Sequence, residues 1–251
     1  MLMNVAELVR DAGIYPELAG SRVLIAGVGP TCGIDVARVF AEHGCRLILQ
    51  IPNPGPETDA LLAIVAETAL DVQVHHEAID EASDALQFAQ EAAKTYGGLD
   101  VVVNLISFEL SALEGISSVE DIENLVVARL QAAAQATQVA ANRMGLTWTN
   151  GSVLNVLRMP VPSSSAEVAL GGIARTVLAA MTRKEAGMWA AQGIRINAIA
   201  PRLDLKYEAS LYDDFVTSEP EIAAAALYLA SHDGEELTGY VLDCDTMAAC
   251  R

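Results

Sequence analysis

Short, nearly unbroken apolar runs recur along the chain, each followed by a longer segment whose apolar positions fall three and four residues apart. The opening run from Ser21 ends at Gly27, and further runs over 46–51, 71–75, 100–105, 152–157, 194–199 and 240–243 read as strands. Between them, the segment with Val36, Val39 and Phe40 on one face and the segments 57–69, 83–96, 119–144, 166–191 and 220–230 read as helices, with Gly97-Gly98 closing the third. Apolar strands alternating with amphipathic helices predict a parallel sheet covered on both faces. The expected fold class is therefore α/β, a doubly wound three-layer sandwich on a mostly parallel seven-stranded sheet.

The stretch SRVLIAGVGPTCGIDVARVFAEHG, residues 21–44, makes this a Rossmann-type fold, since a buried strand runs into a glycine-studded turn and then a helix. Gly27 allows the tight bend and Gly33 lets helix and strand pack. The middle glycine of that turn, where bare backbone approaches a pyrophosphate, is replaced by Thr31. The turn Gly27, Thr31, Gly33 is read as vestigial.

Length and composition add limits. With 251 residues, 52% of them apolar, and no Pro/Gly/Ser-rich linker, the whole of 1–251 reads as one domain, its first 20 residues forming a helical extension with Val5, Leu8 and Val9 at helical spacing. Cys32, Cys45, Cys244 and Cys250 show no C-x-x-C spacing, so reduced thiols, no metal site and a cytoplasmic location are expected. A net charge of −18 without a basic stripe argues against nucleic acid and against an anionic membrane surface.

Several motifs in order carry a closer likeness. Residues 26–33 (AGVGPTCG) align with the turn T-G-x-x-x-G-x-G, Glu77 with an acidic residue after the third strand, and 100–107 (DVVVNLIS) with D-x-x-V-N-N-A-G. Residues 193–202 (GIRINAIAPR) align with G-I-R-V-N-A-I-A-P-G, and Thr238-Gly239 with Leu242-Asp243-Cys244-Asp245 align with T-G-x-x-x-x-V-D-G-G. From Leu18 to Asp245 the chain resembles the short-chain dehydrogenase/reductase family. That resemblance implies hydride transfer to or from a nicotinamide, with a Tyr as acid or base, a Lys four residues on, a Ser that orients substrate and an Asn that holds a relay water.

The positions implied for these groups are all substituted. Counted back from Gly193, the Tyr position falls on Gly171 and the Lys position on Arg175; the Ser position falls on Arg158, and counting from Met144 puts the Asn position at Arg129. Glycine has no proton to give. No tyrosine occurs between Tyr96 and Tyr207, so a shifted register rescues nothing, and Ser163, Ser164 and Ser165 are hydroxyls that a polar loop carries without catalysis.

Cofactor positions are altered in parallel. Where the resemblance implies an acid or an arginine for the ribose stand Ile51 and Pro52; Leu105-Ile106-Ser107 replaces a small turn, Arg202 a glycine, and Lys206 lies near the expected carboxamide contact. What is retained, Gly27, Gly33, Asp100, Asn104, Asn197 and Pro201, is what folding needs. No catalytic residue and no cofactor are expected in this chain, with NAD bound only by a catalytic partner.

Three functional readings follow. The first is a catalytically inactive (pseudoenzyme) subunit of a hetero-oligomer, such as a tetramer, with an active paralogue of the family, resembling heteromeric hydroxyacyl-CoA dehydrogenases that keep one empty subunit. Here the long helices 119–144 and 166–191 would pair between subunits, with Ala132, Ala133, Ala136, Ala140, Ala174 and Ala180 allowing close approach. The second is an enzyme with a rebuilt site, in which Arg158 and Arg175 converge on an anion; otherwise these arginines plug an unused cavity, each reaching an acidic residue. The third is a ligand-sensing scaffold.

Overall fold

The computed structural model describes residues 15–79, 82–108, 118–203 and 215–243. The expected leading helix with Val5, Leu8 and Val9, the tail 247–251, Lys206, Cys244 and Cys250 lie outside these residues.

Seven strands form one sheet: β1 (Arg22–Ala26), β2 (Arg46–Gln50), β3 (Asp71–His75), β4 (Val101–Ser107), β5 (Ser152–Arg158), β6 (Arg195–Ile199) and β7 (Val241–Leu242). Their order is β3-β2-β1-β4-β5-β6-β7, and every neighbouring pair runs parallel. The helices are α1 (Ile34–Glu42), α2 (Pro56–Thr68), α3 (Ala82–Thr95), α4 (Val119–Leu146), α5 (Ser165–Trp189) and α6 (Glu219–Ala230). The expected α/β sandwich is present, with boundaries within about two residues of the pattern.

The strands alternate faces, so each contributes to two cores. Val23, Ile25, Leu47, Leu49, Val101 and Val103 pack against α1, α2 and α6 through Phe40, Leu61, Ile222 and Ala226. Leu24, Ile48 and Val102 meet α3, α4 and α5 through Phe88, Ala140, Met144 and Ala186 on the other side. A third cluster joins Ile106 and Leu157 to Val126, Leu130, Leu170 and Leu178.

Retained polar residues fasten this sheet. Asp100 accepts from the Arg22 backbone N–H (2.8 Å), from its Nε (2.8 Å) and from its Nη2 (2.6 Å), joining the starts of β1 and β4. Asn197 donates to Leu237 C=O (2.8 Å) and accepts from Tyr240 N–H (3.1 Å), which brings the last strand to β6. Buried Asn104 donates to Asn155 (2.8 Å) and Thr137 (3.2 Å), tying β4, β5 and α4 together.

One expectation is corrected. Ala133, Ala136, Ala140 and Ala174, assigned to a contact between subunits, are buried within this chain, where their small size lets α4 and α5 lie close on the sheet. Ala132 is half-buried and Ala180 is exposed. Cys32 and Cys45 are buried free thiols, and burial pushes Cys45 up to about 12.

Candidate cofactor cleft

The sheet order reverses between β1 and β4, and the crevice at the carboxyl ends of these strands is where an open α/β sheet takes a ligand. Gly27 has φ +85° and Gly33 φ +91°, so both turn positions hold a backbone that side chains rarely adopt. They also leave no room. A Cβ at Gly27 would lie 2.5 Å from the Leu105 carbonyl oxygen, and one at Gly33 2.6 Å from Leu105 Cδ1. The bulky strand end expected at Leu105 is thus packed beneath the turn.

An anion cradle needs free backbone N–H groups at a helix start, and here they are engaged from within. Gly29 N–H bonds Cys32 C=O (2.8 Å) and Cys32 N–H bonds Gly29 C=O (3.3 Å), closing the turn on itself. Asp35 N–H, in the first turn of α1, donates to Glu219 Oε1 (2.8 Å), which arrives from the first residue of α6. A carboxylate of the chain holds the place suited to a phosphate.

Arg158 supplies the counter-charge. Its side chain is 2% exposed; Nη1 donates to Thr31 C=O (2.6 Å) and lies 3.9 Å from Glu219 Oε2, while the guanidinium stacks 4.0 Å from the centre of the Phe215 ring. Val216 N–H bonds Met159 C=O (3.1 Å), and Phe215 bridges Pro160, so this strip runs along the end of β5. Arg158, Glu219 and Phe215 together seal the crevice beside Thr31.

Gln50 crosses the other half of the cleft. Gly27 N–H donates to its Oε1 (2.6 Å), and its Nε2 donates to Glu77 C=O (2.8 Å). Ile51 is buried, and the Glu77 side chain points to solvent, 3.7 Å from His75.

The remaining sequence-derived positions separate. Gly171 is buried in α5, and a Cβ there would collide with the side chain of Leu203, which fills the place of the missing ring. Arg175 donates to Ala200 C=O and pairs with Asp243 Oδ1 at 2.5 Å, with Arg202 Nε 3.3 Å from the same carboxylate. Arg158 and Arg175 therefore do not converge on one anion; each is spent on its own acid. Arg129, the substituted Asn position by spacing, lies on the exposed face of α4. Ser164 caps α5 by accepting from Glu167 N–H (3.3 Å), and Ser163 bonds the Glu167 carboxylate (3.0 Å).

Glu219, Gln50, Phe215 and Leu203 escaped the sequence reading. The available signal was Arg158 itself, because a guanidinium at the end of a buried strand requires a carboxylate.

Residues 27–246 match the family model described as enoyl-(acyl carrier protein) reductase. The chain belongs to the short-chain dehydrogenase/reductase family. Galactitol 2-dehydrogenase (L-tagatose-forming) from Cereibacter sphaeroides is 24% identical, covering 91% of this chain and 95% of that protein. Glucose 1-dehydrogenase 2 from Bacillus subtilis (strain 168) is 26% identical over 92% and 96% respectively. Among solved structures, an NADH-dependent reductase A1-R' complexed with NAD superposes with a TM-score of 0.74 at 20% identity, covering 94% of this chain and all of that one. Among the described residues no helix is long and apolar enough to cross a membrane, and no group of three or more His, Cys, Asp or Glu is placed to hold a metal.

For this family member, pH should report on the seal. Burial raises the Glu219 pKa, while the Asp35 N–H and the Arg158 charge pull it down less strongly. A raised folded-state value means the folded chain holds the proton more tightly, so this stability is full below the ordinary carboxylate pKa and is lost as pH rises through the raised one. Glu219→Gln keeps an oxygen for Asp35 N–H and never ionises. It should gain on the wild type in thermal melts as pH rises from about 4 to about 8; a constant difference between the two proteins would show that Glu219 does not titrate there.

Proposed function

We propose that this chain is a catalytically silent member of the short-chain dehydrogenase/reductase family that binds no nicotinamide cofactor. It serves as a structural or regulatory subunit beside an active, NAD-dependent hydroxyacyl(-CoA) dehydrogenase of the same family, in a hetero-oligomer such as a tetramer. In this role it resembles the empty subunit of a heteromeric enzyme such as 2-[hydroxy(phenyl)methyl]succinyl-CoA dehydrogenase. One observation carries the reading: the Glu219 carboxylate sits on the α1 N-terminus where a pyrophosphate would bind, with Arg158 locked across the turn beside it.

A dinucleotide does not fit this set of residues. Its phosphates would meet a like charge in place of free N–H groups, and displacing Glu219 would strand a buried guanidinium. The acid–base chemistry has also gone, since Gly171 and Arg175 carry neither a phenol nor an amine. Separate carboxylate partners for Arg158 and Arg175 weigh against a rebuilt anion site.

Isothermal titration with NAD+, NADH, NADP+ and NADPH at millimolar concentration should give no saturable heat. A micromolar midpoint with any of them overturns the reading. Co-expression with a catalytic relative encoded beside it should yield one assembly, and a relative fully active and correctly assembled alone would remove the subunit role.

A further inference from the structure

Asn150-Gly151 is the one Asn-Gly pair in the chain, and it stands in the irregular stretch between α4 and β5. In such a pair the carboxamide can react with the next peptide, because glycine has no Cβ to keep its own nitrogen at a distance. Asn150 is exposed, and its carboxamide lies over Gly193, where a Cβ would collide with Asn150 Oδ1. Gly151 N–H, the group that would attack, has no acceptor among the described residues, whereas Gly151 C=O accepts from Arg195 N–H (2.9 Å).

The residues before the pair hold a costly conformation. Thr149 N–H bonds Met144 C=O (2.9 Å) and Trp148 N–H bonds Gly145 C=O (3.3 Å), closing α4 with Trp148 in the left-handed position at φ 54°. It is the one non-glycine residue with positive φ among those described, and a bulky side chain is strained there. Its ring, 94% exposed, gains no packing in return. Behind the pair the chain is pinned, since Ser152 N–H donates to Asp100 C=O (2.9 Å) and β5 is buried along its length. Gly151 itself is packed on Met144, where a Cβ would meet Met144 Sδ. Reaction therefore needs the cap to open, and the strain at Trp148 lowers the cost of that opening.

We propose that Asn150 is a site of spontaneous deamidation, primed by the strained cap before it. Once the cap opens, the Gly151 nitrogen gives its proton to hydroxide and attacks Asn150 Cγ; the new N–Cγ bond closes a succinimide, and the carboxamide nitrogen takes a proton from water and leaves as ammonia. A second water opens the ring, at Cγ to give an aspartate or at the Asn150 main-chain carbonyl to give an isoaspartate. Nothing is oxidised or reduced. The isoaspartate threads a side-chain carbon into the main chain, and either product adds a negative charge to a chain already at −18. Both changes act where Gly151 and Ser152 tie the start of β5 to Arg195 of β6 and to Asp100 before β4. The modified form is therefore looser at this point of the sheet and accumulates with the age of the protein. This inference stands independently of the function proposed above.

The test uses the full folded chain, aged in mildly alkaline buffer at body temperature and then digested with trypsin. The peptide 144–158 should gain about one mass unit, with fragment ions placing the change at Asn150 and not at Asn155, and an isoaspartyl methyltransferase should label it. Asn150→Gln should remove the signal. Trp148→Gly relieves the strain and should slow the reaction about fivefold in the folded chain, while both chains convert equally fast when unfolded in urea. Trp148→Asn, which also accepts the left-handed conformation, should slow it in the same direction and serves if the glycine variant does not fold. A folded chain that gains no mass at Asn150 while the unfolded one does overturns the proposal. So does a folded rate that neither substitution at Trp148 changes.

Discussion

Replacing Arg158 by alanine should destabilise the fold by about 3–5 kcal/mol, because it strips the counter-charge from a carboxylate whose side chain is only 15% exposed. Three contacts go at once: the bond to Thr31 C=O, the pairing with Glu219 and the stack on Phe215. Glu219 would keep the Asp35 N–H, but its pKa, already raised by burial, would rise further. The double variant Arg158→Met with Glu219→Gln removes both charges while keeping the stem volume and the acceptor for Asp35. It should recover most of the loss, since an uncharged pair in the same space often matches a buried ion pair. Urea unfolding of the wild type, Arg158→Met, Glu219→Gln and the double closes the cycle, with a coupling of about 1–3 kcal/mol expected. A cost below about 1 kcal/mol for Arg158→Ala, within the range of exposed pairs, would mean that the crevice is not sealed as described.

That seal also marks where the sequence stopped being legible. Strands β1, β4, β5 and β6 were readable because parallel strands buried on both faces must be apolar almost throughout. The helices followed from their 3.6-residue period. Arg158, Gly171 and Arg175 were placed by spacing, and the general expectation that each arginine reaches its own acid matches Glu219 and Asp243. Which acid each would find was not readable. Glu219 lies far from Arg158 in sequence, and no periodicity links the start of one helix to the end of a distant strand.

Faces were misread where side chains were small. An alanine-rich helix fits a packed sheet or a neighbouring subunit equally well by composition, so Ala136 and Ala174 gave no sign that they serve this chain's own core. Trp148 was silent for another reason. Its meaning lies in a backbone angle, and a tryptophan read in one dimension carries no φ.

Restoring the family's residues at Gly171→Tyr and Arg175→Lys should give no dehydrogenase activity and should cost stability. A tyrosine at 171 must displace Leu203, whose side chain occupies the space of its Cβ, and overpacking of this kind costs typically about 1–3 kcal/mol. Lysine at 175 gives up the planar fork that now reaches both Ala200 C=O and the Asp243 carboxylate. On the reading proposed above, the phenol would have no nicotinamide beside it even with both groups present and folded, since Glu219, Arg158 and Gln50 bond across the turn where a dinucleotide would lie. Acid, cofactor and orienting hydroxyl act as a unit, so the acid alone, with Arg158 still at the serine position, gives background rates. The measurement is NADH formation at 340 nm over a panel of hydroxyacyl thioesters and sugar alcohols, alongside a thermal melt. Turnover above the wild-type background with added NAD+ would mean that the chain admits the cofactor after all, and with it the silent-subunit reading would fall.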